Sequence, residues 1–172
     1  SGIAVIVVVD GDNRIILDAG ANGQVREELI DRALESATAG DYLICQLEIS
    51  QEIVRYALAK AKEKGLVTVL NPAPAAKLLP GILEKCDYFI PNQSEAEFYT
   101  GIFPKDEESA QKCAQALAAK GVGNVVVTMG SEGSAYVGKD GYFKADCFKA
   151  EAVDTTAAGD TYVGAFVTGL SE

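Results

Sequence analysis

Residues Asp154 to Phe166 read DTTAAGDTYVGAF, which places very small side chains where an extended segment gives way to a helix. Ala157, Ala158 and Gly159 leave the predicted first turn bare, so the N–H groups of the helix N-terminus can meet an anion such as a phosphate. Asp160 follows and points a carboxylate toward the same space. An anion site beside a base suits phosphoryl transfer, because the amides stabilise charge while the carboxylate accepts a hydroxyl proton.

The same residues also have a purely structural interpretation. Thr155 or Thr156 can cap the helix, and Asp160 can complement the helix dipole. The small residues can then serve close packing. Residue chemistry alone leaves both interpretations open.

The composition limits the class of protein. A chain of 172 residues can form one good core, so we expect one domain or part of one. Hydrophobic residues make up 48% of it, without a run long enough for a membrane span and without a signal peptide. The net charge of −10 disfavours nucleic acid and acidic membrane as partners, because both attract basic surfaces.

The cysteines carry a prediction about the compartment. Cys45, Cys86, Cys113 and Cys147 lie far apart without a CxxC pair, and the chain has no His. This pattern disfavours zinc sites and His-based catalytic triads. Scattered cysteines are typical of reduced, packed thiols, which predicts a cytoplasmic protein.

Predicted strands and helices alternate along the chain. The predicted strands cover 3–9, 14–17, 42–47, 66–70, 88–90, 125–128, 135–137 and 142–145, with hairpin turns at 10–13 and 138–141. The predicted helices cover 24–38, a segment capped by Ser50, 94–101, 107–120 and 157–170. This order predicts an α/β fold with a mostly parallel sheet and helices on both faces.

Ligands of such sheets bind at the carboxyl ends of the strands. That rule selects five positions, namely Glu48, Asn71, Asn92, Gly130 and the turn of residues 157–160, which reads AAGD.

Two of these strand ends also have simple structural interpretations. Ser94 and Glu97 have the spacing of a capping box, which explains the stretch after Asn92 without any ligand. The Gly130-Ser131-Glu132-Gly133 stretch is explained by a turn before a hairpin. No GxxxxGK[ST] motif occurs, which excludes a P-loop.

Taken together, the motifs resemble the ribokinase family, the phosphofructokinase-B type of sugar kinase. Its second signature, Asp-Thr, one or two small residues, Ala-Gly-Asp and an aromatic, is matched from Asp154, with Tyr162 where Phe is usual. The resemblance implies a ribokinase-like three-layer α/β/α fold with β-hairpins. It covers the whole chain but not the family's N-terminal and C-terminal parts, so we expect residues 1–172 to be a single, incomplete sugar-kinase domain.

The resemblance also implies roles for individual residues. Asp160 is expected to be the catalytic base, with the turn of Ala157, Ala158 and Gly159 as the anion hole. The expected ATP contacts are Asn92, Thr128, Gly130, Ser131, Glu132, Gly133 and Gly159. The expected sugar contacts are Glu48, in the ribose-kinase-like stretch Gln46-Leu47-Glu48, and Asp160. Glu95 is expected to orient the water shell of Mg²⁺, which dehydrates reluctantly, while Asp154 and the Thr156 backbone are expected to bind a monovalent cation, K⁺.

The implied activity is ATP-dependent phosphorylation of a sugar hydroxyl, with D-ribose as the leading substrate and D-ribose 5-phosphate as product. One alternative is a fructokinase or another small sugar or polyol kinase of the same family. Others are a non-catalytic nucleotide- or sugar-binding module and an acidic interaction domain. The intact AAGD turn favours catalysis, because a sensor has no use for the base. The 172 residues alone are expected to be an incomplete catalyst, and the family's lid-strand dimers make a homodimer a further expectation.

Overall fold

The computed structural model describes residues 2–9, 12–149 and 155–172. In this described part the strands are Ile3–Val9 (β1), Asp12–Asp18 (β2), Tyr42–Cys45 (β3), Val67–Leu70 (β4), Tyr88–Phe89 (β5), Asn124–Thr128 (β6), Ser134–Gly138 (β7) and Gly141–Ala145 (β8). The helices are Glu27–Ala33 (α1), Gln51–Glu63 (α2), Gln93–Thr100 (α3), Glu107–Ala118 (α4) and Ala158–Ser171 (α5). Short 3-10 turns cover Asn22–Gln24, Leu83–Lys85 and Gly130–Glu132.

The main sheet in the described part of the chain has the strand order β3-β4-β5-β6-β7-β8. The pairs from β3 to β6 are parallel, and β7 and β8 continue the sheet as an antiparallel hairpin. Parallel pairing continues past the strand ends, where the Asn71 amide donates to the Cys45 carbonyl at 3.0 Å. The Thr128 amide likewise donates to the Pro91 carbonyl at 2.9 Å. The predicted mostly parallel α/β sheet is therefore confirmed, and its carboxyl ends are tied together.

Alternating side chains divide the core between the two faces of this sheet, as strand geometry requires. Val69, Ile90 and Val126 pack with Val163 and Val167 of α5 on one face. The other face packs against α2, α3 and α4. Its buried residues include Leu58, Leu70, Phe89, Ala96, Leu117, Val125 and Val127. Helices therefore cover both faces, which gives the predicted three layers.

The first hairpin lies outside the main sheet as a two-stranded antiparallel ladder. Its pairing runs from Ile3 opposite Asp18 to Val9 opposite Asp12. Strand β2 thus begins two residues earlier than predicted, because Asp12 already pairs with Val9. Residues 10 and 11 of the predicted turn lie outside the described residues.

Two helix predictions need correction. Helix α1 ends at Ala33, well before the predicted residue 38, because the amides of Glu35 and Ala37 bond to carbonyls three residues back. Ser50 occupies the N-cap position of α2 but makes no capping hydrogen bond. Its hydroxyl instead donates to the Glu52 carboxylate at 2.7 Å.

A hydrogen-bond network joins Lys62 of α2 and Thr68 of β4 to Asp87, the residue before β5. Asp87 accepts hydrogen bonds from the Lys62 ammonium at 2.7 Å and from the amide of Thr68 at 2.9 Å. Burial acts to raise the pKa of Asp87, but these hydrogen bonds outweigh it and hold the pKa below its usual 3.8. The ionised carboxylate is therefore stabilised by the fold.

The prediction that the cysteine side chains are packed holds for three of the four residues. Cys86 and Cys113 are buried and Cys45 is half-buried. Burial raises the pKa of Cys45 to about 11, so its thiol stays protonated at neutral pH. Cys147 is exposed, so the prediction of packing is wrong there. No helix in the described ranges has the length and apolar character needed to cross a bilayer.

Candidate active site

Helix α5 begins at the AAGD turn. Its N-cap residue is Ala157, in the left-handed conformation with φ of 60°, so the helix starts one residue later than predicted. The amide of Ala158 donates to the Thr155 carbonyl at 3.2 Å, and that of Thr161 to the Ala157 carbonyl at 2.9 Å. The N-cap side chain is a methyl group, which leaves the approach to the first turn unobstructed.

Asp160 lies in the exposed first turn of α5 and contacts the carboxyl end of β3. Its Oδ1 accepts a hydrogen bond from Nε2 of Gln46 at 2.6 Å. The two side chains border a cleft of about 270 Å³, which is also lined by Ile44, Asn71, Val163 and Gly164. The structure therefore joins the predicted base to the end of β3.

A second cavity, of about 460 Å³, separates the β6–β7 loop from the start of α5. It is lined by Thr128, Gly130, Gly133, Ser134, Ala145, Asp146, Cys147, Phe148, Ala158, Gly159 and Tyr162. Two motifs that are far apart in sequence, the GxxG loop (Gly130 to Gly133) and the AAGD turn (Ala157 to Asp160), thus border one cavity, called the β6/α5 cavity below. The predicted ATP contacts Ser131 and Glu132 lie on the same loop but do not line it.

Sequence reasoning missed several residues that line the β6/α5 cavity, among them Ser134 and the segment 145–148. Tyr162 stands where the family signature usually has Phe. The structure gives its additional hydroxyl a partner, because this group donates a hydrogen bond to Ser134 Oγ at 2.8 Å. The Tyr at this signature position was the available signal, since a buried hydroxyl needs a partner.

The two glycines of the GxxG loop differ in the space that a side chain would find there. Gly130 has φ of 56°, and a Cβ built on it would meet nothing within 4 Å. Gly133 has φ of 83°, and its Cβ would lie 2.0 Å from the carbonyl oxygen of Ala145. A side chain at residue 133 would therefore collide with the backbone of β8.

Asn92 caps helix α3. Its Oδ1 accepts from the Glu95 amide, and Glu95 Oε2 accepts from the Asn92 amide, both at 2.9 Å. The predicted capping box of Ser94 and Glu97 is therefore wrong, because the helix already starts at Gln93. The backbone of Asn92 also pairs with Thr128, which places this cap beside the β6/α5 cavity.

Glu95 is only 6% exposed. Burial raises the pKa of its carboxyl, and the hydrogen bond from the Asn92 amide opposes that rise. The structure thus gives Glu95, the residue expected to serve Mg²⁺, a structural role at the cap.

Glu48 lies on a third cavity, of about 360 Å³, between the first hairpin and the end of β3. The cavity is lined by Gly2, Ile3, Ala4, Asp18, Ala19, Asn22, Leu47, Glu48 and Pro74. Asp160 does not line it, so the two predicted sugar contacts border different cavities in these 172 residues. They remain connected through the chain, because Gln46, which bonds Asp160, is two residues before Glu48.

The structure describes only one of the two residues expected to bind the monovalent cation. Asp154 lies outside the described residues, and Thr156 is described as part of the turn before α5. Among the residues that the structure describes, no group of three or more His, Cys, Asp or Glu side chains could hold a metal ion.

Comparison with known proteins identifies the family. The profile of the pfkB family carbohydrate kinases matches residues 1–172. The chain is 37% identical over 168 residues to a deoxyribokinase of Salmonella typhi, covering 96% of this chain and 55% of that protein. It is 39% identical over 175 residues to a ribokinase of Haemophilus influenzae, covering 100% of this chain and 56% of that protein.

The fold agrees with these relationships. The structure of Arabidopsis thaliana ribokinase complexed with ribose and ATP superposes with a TM-score of 0.86 at 26% identity, over 99% of this chain and 56% of that one. The chain thus spans little more than half the length of the relatives that it matches. Because the family profile covers the chain from end to end, the chain belongs to the pfkB family of carbohydrate kinases.

Proposed function

We propose that the full-length gene product is a carbohydrate kinase that transfers the terminal phosphoryl group of ATP to a hydroxyl of D-ribose. The observation that carries the proposal is the β6/α5 cavity, in which the first turn of α5 faces the GxxG loop. A helix N-terminus and a glycine loop suit phosphates, because both present backbone N–H groups without bulky side chains. Asp160 is in the same turn, so the proposed base would lie next to the bound phosphates.

In the proposed reaction, the sugar hydroxyl oxygen attacks the terminal phosphorus of ATP, and the bond to the β-phosphate oxygen breaks to release ADP. The hydroxyl proton passes to the carboxylate of Asp160. The first-turn amides of Gly159 and Asp160 stabilise the charge on the transferring phosphoryl oxygens. A carboxylate is a weak base, which suffices because a loose transition state releases the proton late.

Two observations around Asn92 support the proposal of a water-mediated Mg²⁺ site. The capping box engages only Oε2 of Glu95, and the cap lies beside Thr128 of the β6/α5 cavity. Glu95 would hold the water shell of the ion, while Asn92 fixes the position of the carboxylate. The ion, when bound, would neutralise phosphate charge. The K⁺ site at Asp154 and Thr156 remains a proposal from the resemblance.

The relatives support a pentose as the substrate. The Haemophilus influenzae relative is named a ribokinase, and the Arabidopsis structure is complexed with ribose and ATP. The Salmonella relative is named a deoxyribokinase. Because the two identities, 39% and 37%, are nearly equal, 2-deoxy-D-ribose is the second candidate substrate. Glu48 would accept hydrogen bonds from sugar hydroxyls at the cavity beside the first hairpin.

The proposal is tested with Mg-ATP and a panel of D-ribose, 2-deoxy-D-ribose, D-fructose and small polyols, reading the mass of the product. The 172-residue chain and the full-length gene product are compared. Phosphorylated D-ribose from the full-length protein is the expected result. Preference for fructose or a polyol would correct the substrate, and no sugar phosphate with intact binding of an ATP analogue would favour the non-catalytic module.

The role of Asp160 is tested by Asp160→Asn, which should abolish turnover while leaving the affinity for an ATP analogue unchanged. Asp140→Asn is the matched control, because Asp140 is an exposed residue at the β7–β8 turn. Substantial turnover by Asp160→Asn would contradict the assignment of the base.

A further inference from the structure

We propose that Gln46 is a positioning residue for Asp160, whose side-chain amide orients the carboxylate that accepts the sugar proton. The inference rests on the function proposed above. Neither residue chemistry nor the family signature assigns Gln46 this role. The contact joins residues that are 114 positions apart in the chain.

The geometry of the contact identifies the donor and the acceptor of the hydrogen bond. Gln46 Nε2 lies 2.6 Å from Asp160 Oδ1. An ionised carboxylate only accepts hydrogen bonds, so the amide nitrogen and not the amide oxygen must face it. Such charge-assisted hydrogen bonds are short and directional. Holding Oδ1 in this way presents Oδ2 for the proton.

Other contacts hold helix α5 in place. Val163 and Val167 are buried against the sheet, and Tyr162 bonds Ser134 Oγ at 2.8 Å. At the other end of the helix, the Tyr42 hydroxyl donates to the Leu170 carbonyl at 3.0 Å. These anchors fix the helix, so the specific effect of Gln46 is on the side-chain orientation of Asp160.

Among the described residues that line the cleft, Asn71 is the only other side chain with a hydrogen-bond donor. Asn71 already gives its Nδ2 to the Ile90 carbonyl at 3.0 Å. Its Oδ1 is buried without a partner among the described residues, and it is an acceptor like the carboxylate. Neither Lys nor Arg lines the cleft. An ion pair would cancel the charge of the carboxylate. Because the Gln46 amide is neutral, it orients the carboxylate and leaves that charge in place.

The experiment measures kcat and KM of the full-length gene product with Mg-ATP and its best sugar, together with the Kd of a non-hydrolysable ATP analogue. Gln46→Leu removes the donor at similar volume, and Gln46→Glu places a repelling carboxylate at the same reach. Gln115→Leu, on the exposed face of α4, is the control for replacing a glutamine by leucine away from the site. Loss of orientation should lower kcat by roughly 10- to 100-fold. KM for ATP and Kd of the analogue should stay within about twofold.

A larger loss in Gln46→Glu than in Gln46→Leu would support the proposal further. The inference is overturned if Gln46→Leu keeps kcat within about twofold of the wild type, or if its Kd for the ATP analogue rises as much as kcat falls. Should Gln46→Leu fail to unfold cooperatively, Gln46→Asn, one methylene too short to reach, replaces it under the same criteria. A wild-type protein that phosphorylates no sugar refutes the proposed function itself, which separates that failure from failure of the inference alone.

Discussion

Replacing Gly133 by Ala should destabilise the β6–β7 loop much more than replacing Gly130 by Ala. Gly133 has φ of 83° and ψ of −136°, a region in which side chains are strained by about 1–3 kcal/mol. Its Cβ would also lie 2.0 Å from the Ala145 carbonyl oxygen, whereas real Cβ atoms essentially never approach below 3.0 Å. Strand β8 would therefore have to move by at least about 1 Å to reach even the shortest distance that real Cβ atoms show.

That movement disturbs the ladder in which Ser134 pairs with Ala145. Each hydrogen bond lost costs about 0.5–1.5 kcal/mol net. Together with the backbone strain, Gly133→Ala should cost about 2–5 kcal/mol. Gly130→Ala is the matched control, because its φ of 56° is left-handed but its Cβ would meet open space. It should cost only about 1–2 kcal/mol.

Urea unfolding of the full-length wild type and both variants measures these differences, with constant m-values required for the comparison. Binding of an ATP analogue should weaken more in Gly133→Ala, because the loop borders the β6/α5 cavity. If the two variants are equally stable to within about 0.5 kcal/mol, the close approach of β8 to Gly133 is wrong.

Three further changes test other contacts. Asn92→Ala should cost about 0.5–2 kcal/mol in urea unfolding, because it removes the side-chain oxygen that accepts from the Glu95 backbone amide at the cap of α3, and Asn92→Asp, which keeps an acceptor, should cost less. Tyr162→Phe should cost about 0.5–1.5 kcal/mol by the same measurement, since Ser134 loses its partner, and an unchanged stability would contradict the hydrogen bond. Asp87 has a depressed pKa in the folded state, so its stabilising contribution is complete above its unfolded value of 3.8 and is lost as the pH falls through the folded value. Asp87→Asn should therefore flatten the loss of stability below about pH 4, and an unchanged acid profile would refute this.

Local patterns predicted the elements that depend on neighbours in sequence. The helix predicted over residues 107–120 and the hairpin of β7 and β8 follow from apolar spacing and turn residues, and the structure contains both, with the helix ending at Ala118. The cap at Asn92 was misassigned to Ser94 although both have suitable side chains. Which residue caps depends on where the preceding strand ends, and Asn92 is still paired with Thr128. Helix ends are therefore decided partly by the sheet.

The sequence by itself determined the α/β class and the AAGD turn, because alternating elements and small residues at a helix start are properties of short segments. Only the tertiary structure decided that Gln46 meets Asp160, that Tyr162 meets Ser134, and that Glu48 borders a different cavity from Asp160. These contacts depend on strand order and on how α5 packs across the sheet. Neither is encoded in residue spacing, since both result from burying apolar faces of distant segments in one core.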